Sequence, residues 1–357
     1  MLIGRSPVRI SFAGGGTDLP SYYEQFGGAV LSTAINKYFY TILGKRSDNR
    51  IQIISSDLRV FETSHDIAAM KLEGSELEIP FAVLKDMSLD LSLDLFLASE
   101  IPPGTGLGSS ASVCVNILKT LTTYLDQPLS RYELAERAFH IARTVLARTV
   151  GKQDEYASAF GGLNFITFER DGSAHVEPIK IETGLMQNLQ ANLMLFFTGS
   201  AHHSWTILEE QEKLTRTHGS VAIEALHEVR SLAYRMRDAL ERGDLNAVGL
   251  LMDEAWQAKK RVSARISNPR IDHLYGVAQR EGAIGGKISG AGGGGFLLLY
   301  CEADSQAAVR KALTAEGLQE MAFAFDFQGA QVIVNDPFID GDERTGSRWT
   351  FVRAAAS

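Results

Sequence analysis

Sulfur is scarce in this chain: 357 residues carry two cysteines, Cys114 and Cys301, far apart and in no metal-ligand spacing. That excludes a disulfide-stapled scaffold and a cysteine-held metal, and both lie in apolar stretches, as small core residues in a reducing cytoplasm do. A surplus of positive charge is also missing. Lys and Arg number 35 against 43 Asp and Glu, for a net charge of −8. No basic block stands out, so neither nucleic-acid phosphates nor an anionic membrane surface is the expected partner. Uninterrupted apolar runs are short, the longest around Phe296 to Tyr300, against the ~20 residues that span a bilayer. The opening MLIGRSPVRISFAGGG lacks a basic stretch followed by an apolar one, so no secretory signal is expected and the expected compartment is the cytoplasm.

What remains is ordinary soluble-globular composition, with 45% hydrophobic and 22% charged residues, in a length that suggests two domains at ~150 residues each. Glycine is the outlier, with 33 residues, and three clusters matter: Gly14 to Gly16, the run PPGTGLGSS from Pro102 to Ser110, and GAGGGG from Gly290 to Gly295. Strand patterns surround them. Val8, Ile10 and Phe12 alternate into the first cluster, Tyr38 to Leu43 and Ile51 to Ile54 read as strands, and Leu89, Leu91, Leu93, Leu95 and Leu97 recur at period 2 into the second. Helices are expected over Ser112 to Leu125 and, after the capping-box pattern Ser130 to Glu133, through Leu134 to Val145. A strand follows at Leu163 to Phe168. Past Leu193 to Phe197 the texture becomes helix-rich, with strands returning at Phe296 to Tyr300 and Gln331 to Val334. The expected division is 1–187, 188–340 and an irregular tail, 341–357.

PPGTGLGSS combines a strand, a glycine loop and a helix opening with serines. Free backbone N–H groups and the helix dipole would make that turn an anion site, and glycines admit close approach of phosphate. The alternative is a tight turn with a serine cap. It is not a Walker A loop, because the Gly-Lys-Ser/Thr ending is absent. Gly290, Gly292 and Gly295 satisfy G-x-G-x-x-G, yet a strand follows them instead of preceding them, so a Rossmann oxidoreductase has little support. Five glycines in six positions point to close backbone approach to a ligand. Asp154, beside Lys152 in GKQDEY, has the character of a hydroxyl-activating carboxylate held ionised by a cation, or of a surface charge pair at a helix end. Asp18, ending RISFAGGGTD, is either a functional carboxylate or a helix cap.

In order and type, the four clusters resemble the GHMP kinases, from residue ~6 to ~335. RISFAGGGTDLPSYYEQFGG, GKQDEYASAFGGLNFITF and GGKISGAGGGGFLLLYC look most like that family's D-glycero-D-manno-heptose 7-phosphate kinase branch. The resemblance implies an α+β GHMP kinase fold: an N-terminal domain like the second domain of ribosomal protein S5, a C-terminal ferredoxin-like domain, and the active site between them. It implies ATP and Mg2+ as cofactors and a sugar or sugar-phosphate acceptor, with a homodimer as an option. Pro103, Gly104, Gly106, Leu107, Gly108, Ser109 and Ser110 would cradle the nucleotide phosphates, with the Ser110 hydroxyl approaching Mg2+. Asp154 would be the catalytic aspartate, with Arg9 near the reacting centre and Lys152 supporting the charge. Gly15, Gly16, Thr17 and Asp18 would hold the sugar, and Gly290, Ala291, Gly292 and Gly293 would close over acceptor and phosphate. For an acceptor phosphate, Lys259, Lys260 and Arg261 are candidates, against their reading as a solvated helix face.

Two departures from the family text stand out. Ala142 occupies the position where members usually carry a magnesium-binding glutamate, so the metal would rest on Ser110, ATP phosphates and waters, or on an acid such as Glu136 or Glu155, with weaker affinity expected. His202 stands where the branch tends to have arginine, and the pair His202-His203 reads as a polar loop more than as a metal site. The functions left to compare are a sugar-phosphate kinase, a kinase for an unphosphorylated sugar such as fucose or galactose, and a non-catalytic nucleotide- or sugar-binding relative.

Overall fold

The computed structural model describes residues 1–89, 92–199, 204–217 and 221–336. Leu91, His202, His203 and the tail 341–357 therefore lie outside the described residues. Twelve strands are described: β1 (Leu2–Ala13), β2 (Gly28–Lys45), β3 (Ile51–Ser55), β4 (Val60–Ser64), β5 (Leu93–Ser99), β6 (Leu163–Phe168), β7 (Ala174–Pro178), β8 (Leu193–Phe197), β9 (Gly285–Ile288), β10 (Phe296–Tyr300), β11 (Gln319–Glu320) and β12 (Gln331–Asn335).

The first sheet runs β12-β1-β2-β5-β3-β4, with β6 and β7 joined to it through β2. The 18 residues of β2 are long enough to serve two partners in turn. Gly28 to Thr33 pair with β6 while Phe39 to Lys45 pair with β5, and β1 runs antiparallel alongside. The strand expected at Gln331 to Val334 forms, but it pairs with β1 in the first sheet instead of joining the second. The second sheet runs β11-β8-β10-β9, antiparallel throughout.

Helices pack on these sheets as their apolar spacing dictates. The helix Ser109–Tyr124 lays Cys114, Ile117, Leu118 and Leu121 into a core shared with β2 and β5. It starts three residues before the expected Ser112, because Gly108 turns left-handed (φ +78°) at its N-cap. The Ser130/Glu133 capping box is present on Arg131–His140, and Ile141–Val145 continues as a π-helix turn that contains Ala142. Helices Val221–Glu241 and Leu245–Lys260 lie between the two sheets. Their Val229, Met236 and Met252 share one apolar cluster with Ile10 and Leu31 of the first sheet and Leu195 and Leu298 of the second. With each such side chain worth ~1.5–3 kcal/mol on burial, this continuous layer fixes how the sheets face each other, and so fixes the cleft between them.

Candidate active site

The cleft is built around the N-terminus of the helix Ser109–Tyr124. Its N-cap is Gly108, and no side chain caps it, so the serine-cap alternative does not hold. The helix's first N–H groups are left to the cleft, in 16 residues of aligned dipole. Gly104, Gly106 and Gly108 all have positive φ, which lets the loop fold back so that its backbone lines the opening.

Arg9, 4% exposed on β1, ties this loop to the acid. Its Nη1 donates to the carbonyl of Gly106 at 2.7 Å. Its Nε and Nη2 both reach Oδ1 of Asp154, at 2.8 and 2.6 Å. Asp154 sits in the first turn of the helix Gln153–Phe160, and its Oδ2 faces Gly108. One guanidinium therefore sets the position of the carboxylate relative to the glycine turn. Asp18 is buried beside them, accepting from the N–H groups of Gly16 at 2.7 Å and Gln153 at 3.2 Å. Burial, reinforced by the neighbouring Asp154 charge, pushes its carboxyl above the usual range.

The cation expected at Asp154 is not Lys152. Lys152 Nζ turns to Glu136, at 2.7 and 2.9 Å, and to the carbonyl of Gly172, at 2.6 Å. Two residues before Asp154 its side chain leaves on another face of the chain, and Arg9 takes the place assigned to it. Glu136 is thereby engaged by Lys152 and by the Tyr156 hydroxyl, which removes it as a free metal ligand. Glu155 is different. It is 3% exposed, lines the cleft, and its Oε2 has no hydrogen-bond partner. Burial, and next the Asp154 charge, hold its carboxyl well above the usual range.

Of the basic run on the long helix, only the first member points inward. Lys259 is buried and donates to the carbonyl of Gly15 and to Gln211 Oε1, both at 2.8 Å. Lys260 and Arg261 pair with Asp272 and Glu228 at the surface. A residue whose role the sequence did not reveal is Lys287, on β9. Its side chain is 6% exposed, and among the described residues no acceptor reaches its Nζ. Burial, with Lys259 and Arg9 nearby, brings Lys287 down to about 7, and burial brings Lys259 down to about 8. A charged side chain in an otherwise apolar or glycine strand, GGKI, was the available signal.

The two later glycine clusters turn out to pack on each other. A Cβ on Gly106 would lie 2.3 Å from the Ser289 carbonyl oxygen, and one on Gly290 would lie 2.6 Å from that of Gly106. Gly295 abuts the Thr105 carbonyl in the same way. Gly292 meets the backbone of Ile266, and the Gly293 N–H donates to the Ile266 carbonyl at 2.8 Å. Thus Gly292 and Gly293 are turned onto protein instead of lining the cleft, and the glycine excess mainly serves backbone-to-backbone contact between loops. Gly290 and Ala291 do line it.

The cleft holds about 430 Å3, within the range of small-molecule sites. Arg9, Gly15, Gly16, Asp18, Pro103, Gly104, Gly106, Gly108, Ser109, Ser110, Asp154 and Lys259 all border it. An apolar arm extends past Leu77, Ile79 and Leu97 to Trp205. Leu107 and Thr17 are not on its wall. Leu107 is buried in the intersheet core, and Thr17 hydroxyl donates to the carbonyls of Gly14 and Ala29 to pin the turn.

Residues 78–162 match the family model "GHMP kinases N terminal domain" and residues 236–319 match "GHMP kinases C terminal". The D-glycero-alpha-D-manno-heptose 7-phosphate kinase of Campylobacter jejuni is 31% identical over 92% of this chain and 97% of its own length. The chain belongs to the GHMP kinase family. A crystal structure of a D-glycero-D-manno-heptose 1-phosphate kinase from Bacteroides thetaiotaomicron superposes with TM-score 0.77 at 29% identity, over 93% of this chain and 98% of that one. The L-fucokinase/L-fucose-1-P guanylyltransferase of Bacteroides fragilis is 26% identical over 86% of this chain and 35% of that longer protein. This GHMP kinase is thus an α+β small-molecule kinase, and the family's phosphate donor is ATP. Among the described residues no helix is long and apolar enough to cross a membrane.

Proposed function

We propose that this GHMP kinase transfers the γ-phosphoryl group of ATP to the anomeric hydroxyl of D-glycero-D-manno-heptose 7-phosphate, giving the 1,7-bisphosphate. The observation that carries a phosphorylated acceptor is Lys287. Burial brings this 6% exposed lysine down to about 7, and an anion arriving beside it would restore the charged form. Arg9 is engaged by Asp154 and the Gly106 carbonyl, and Lys259 by neutral oxygens. Lys259 borders the cleft, and Lys287, behind its wall, feels the charges of Lys259, Arg9, Asp18 and Asp154, so the two lysines would neutralise more negative charge than the transferring group alone brings. The similarity to a heptose 7-phosphate kinase over nearly the whole chain supports the same substrate class.

The chain's residues divide the work as phosphoryl transfer requires, which is positioning and charge neutralisation. The uncapped helix and the backbone of Gly104 to Ser110 hold the triphosphate, and the apolar arm takes the base. Asp18 accepts from the sugar hydroxyls. Asp154, its Oδ1 held by Arg9, presents Oδ2 to the attacking hydroxyl and takes its proton. Ser110 would be one ligand for Mg2+ and Ala142 can supply none; the cation would screen the triphosphate charge. The N-terminal part, 1–187, then holds the nucleotide and the part 188–340 closes the acceptor end, with β12 returning to the first sheet. The protein is cytoplasmic in this reading, acts on small molecules as a monomer or homodimer, and has no nucleic-acid or membrane partner.

The test is ADP release across acceptors with ATP and Mg2+. Heptose 7-phosphate should be turned over at least tenfold more efficiently than free heptose, galactose or fucose. Turnover of free sugars alone would replace this reading with that of a free-sugar kinase, and nucleotide binding without ADP from any acceptor would leave a non-catalytic relative.

A further inference from the structure

Glu155 has no use in the arrangement described so far. It follows Asp154 in the first turn of its helix, is 3% exposed, and borders the same cleft as Ser110 and Ala142. Its Oε2 is shut off from solvent and has no hydrogen-bond partner. Native proteins rarely leave a buried carboxyl oxygen in that condition, because its desolvation goes uncompensated. The fold places it further. Its helix packs against the helix Ser109–Tyr124, on which Cys114, one helical turn beyond Ser110, borders the same cleft. Residues four apart share a helix face, so Glu155 approaches the face of the Ser109–Tyr124 helix that carries the Ser110 hydroxyl at its cleft end. The π-helix turn presents Ile141 and the methyl of Ala142 to the same cleft, neither able to ligate a cation. No basic side chain pairs with Glu155 among the described residues.

From this juxtaposition we infer that Glu155 is the protein's carboxylate ligand for the nucleotide-bound divalent cation, working with Ser110. A hard divalent cation takes oxygen ligands, typically one or two carboxylates together with phosphate oxygens and water. The small side chain at 142 leaves the wall of the cleft open for a carboxyl arriving from the neighbouring helix. The inference rests on the nucleotide phosphates lying at the Gly104 to Ser110 turn.

The experiment uses the full chain and Mn2+ as probe, with a non-hydrolysable ATP analogue. Analogue binding is first measured by calorimetry without metal; then free and bound Mn2+ are counted by electron paramagnetic resonance in the analogue complex. Glu155→Gln should keep the metal-free analogue affinity within about threefold and weaken Mn2+ binding tenfold or more. The double variant Glu155→Gln with Ala142→Glu, which returns a carboxylate from the neighbouring π-helix turn, should recover most of the loss. If Glu155→Gln does not fold, Glu155→Asp replaces it, and the retracted carboxyl should still weaken Mn2+ binding severalfold. Unchanged Mn2+ affinity in the variant that folds, with analogue binding intact, overturns the assignment and leaves Glu155 a neutral buried acid. Absence of analogue binding to the wild-type protein would instead sink the nucleotide reading, and this assignment with it.

Discussion

Replacing Gly108 by alanine tests the central geometry, because one methyl group acts on two separable quantities. Gly108 has φ +78°, where an alanine costs ~1–2 kcal/mol relative to its preferred region. The added Cβ would also lie 3.1 Å from Asp154 Oδ2, 3.2 Å from Cγ and 3.3 Å from Cβ. Non-bonded carbon contacts settle at about 3.5–4.0 Å, so Asp154 must retreat by a few tenths of an ångström. It cannot retreat freely, since Arg9 grips Oδ1 at 2.8 and 2.6 Å. A full ångström of misplacement can cost ~10²-fold in rate, so a few tenths should lower kcat about tenfold. Gly317 provides the control: its φ is +87° and a Cβ there meets nothing within 4 Å. Both variants should lose similar stability, a few degrees in Tm at most for a chain of this size. Only Gly108→Ala should lose turnover, measured by coupled ADP release at saturating substrates. If Gly108→Ala keeps kcat within twofold of wild type, the placement of Asp154 against the turn has no catalytic consequence, and the assignment of roles to these two residues fails.

Other perturbations follow from the same geometry. Arg9→Met frees both the Gly106 carbonyl and Asp154, and steady-state kinetics should show a fall in kcat of about 10²-fold or more. Lys152→Met strips Glu136 and the Gly172 carbonyl of their donor, so thermal melting should drop, while kcat changes far less than in Arg9→Met; the reverse ranking would restore Lys152 to the reacting centre. Lys287→Met should raise KM for a phosphorylated acceptor at least tenfold with little change in KM for ATP, and equal effects on both would place Lys287 elsewhere. With burial bringing Lys259 to about 8 and Lys287 to about 7, the folded chain holds fewer protons than the unfolded chain from about pH 7 up to the ordinary lysine range near 10.5. These groups therefore make ligand-free stability rise with pH across that window. Urea midpoints at pH 7 and pH 9 should show the rise, and Lys287→Met should flatten it.

The parts of the site that were legible beforehand are those encoded by local chain geometry. A period-2 strand, a glycine turn and serines opening a helix lead to the expectation of an anion-binding terminus, and the structure has the geometry that expectation needs, a left-handed Gly108 before an uncapped helix end. Lys152 misled for an equally physical reason. Residues two apart in sequence look like partners on paper, but the turn into the helix Gln153–Phe160 sends Lys152 to Glu136 and leaves Asp154 to Arg9, which is 145 positions away. Lys259, Lys260 and Arg261 were indistinguishable as a run of charge; only the helix's phase against the first sheet buries one and solvates two. The glycines from 290 to 295 announced a close approach but not its partner, which is mostly another loop's backbone.

By itself the sequence carried the family, the alternation of strands and helices, and the glycine turn and carboxylate proposed here as the phosphate and proton-accepting positions, because each is a pattern over neighbouring residues or a motif carried whole. Tertiary structure alone decided which cation faces Asp154, that β12 returns to the first sheet, that Lys287 is buried, and that Glu155 keeps an oxygen with no partner among the described residues. Those outcomes depend on desolvation and on contacts between distant segments. Both are set by how the two sheets clasp the helices between them, and no stretch of chain carries that information alone.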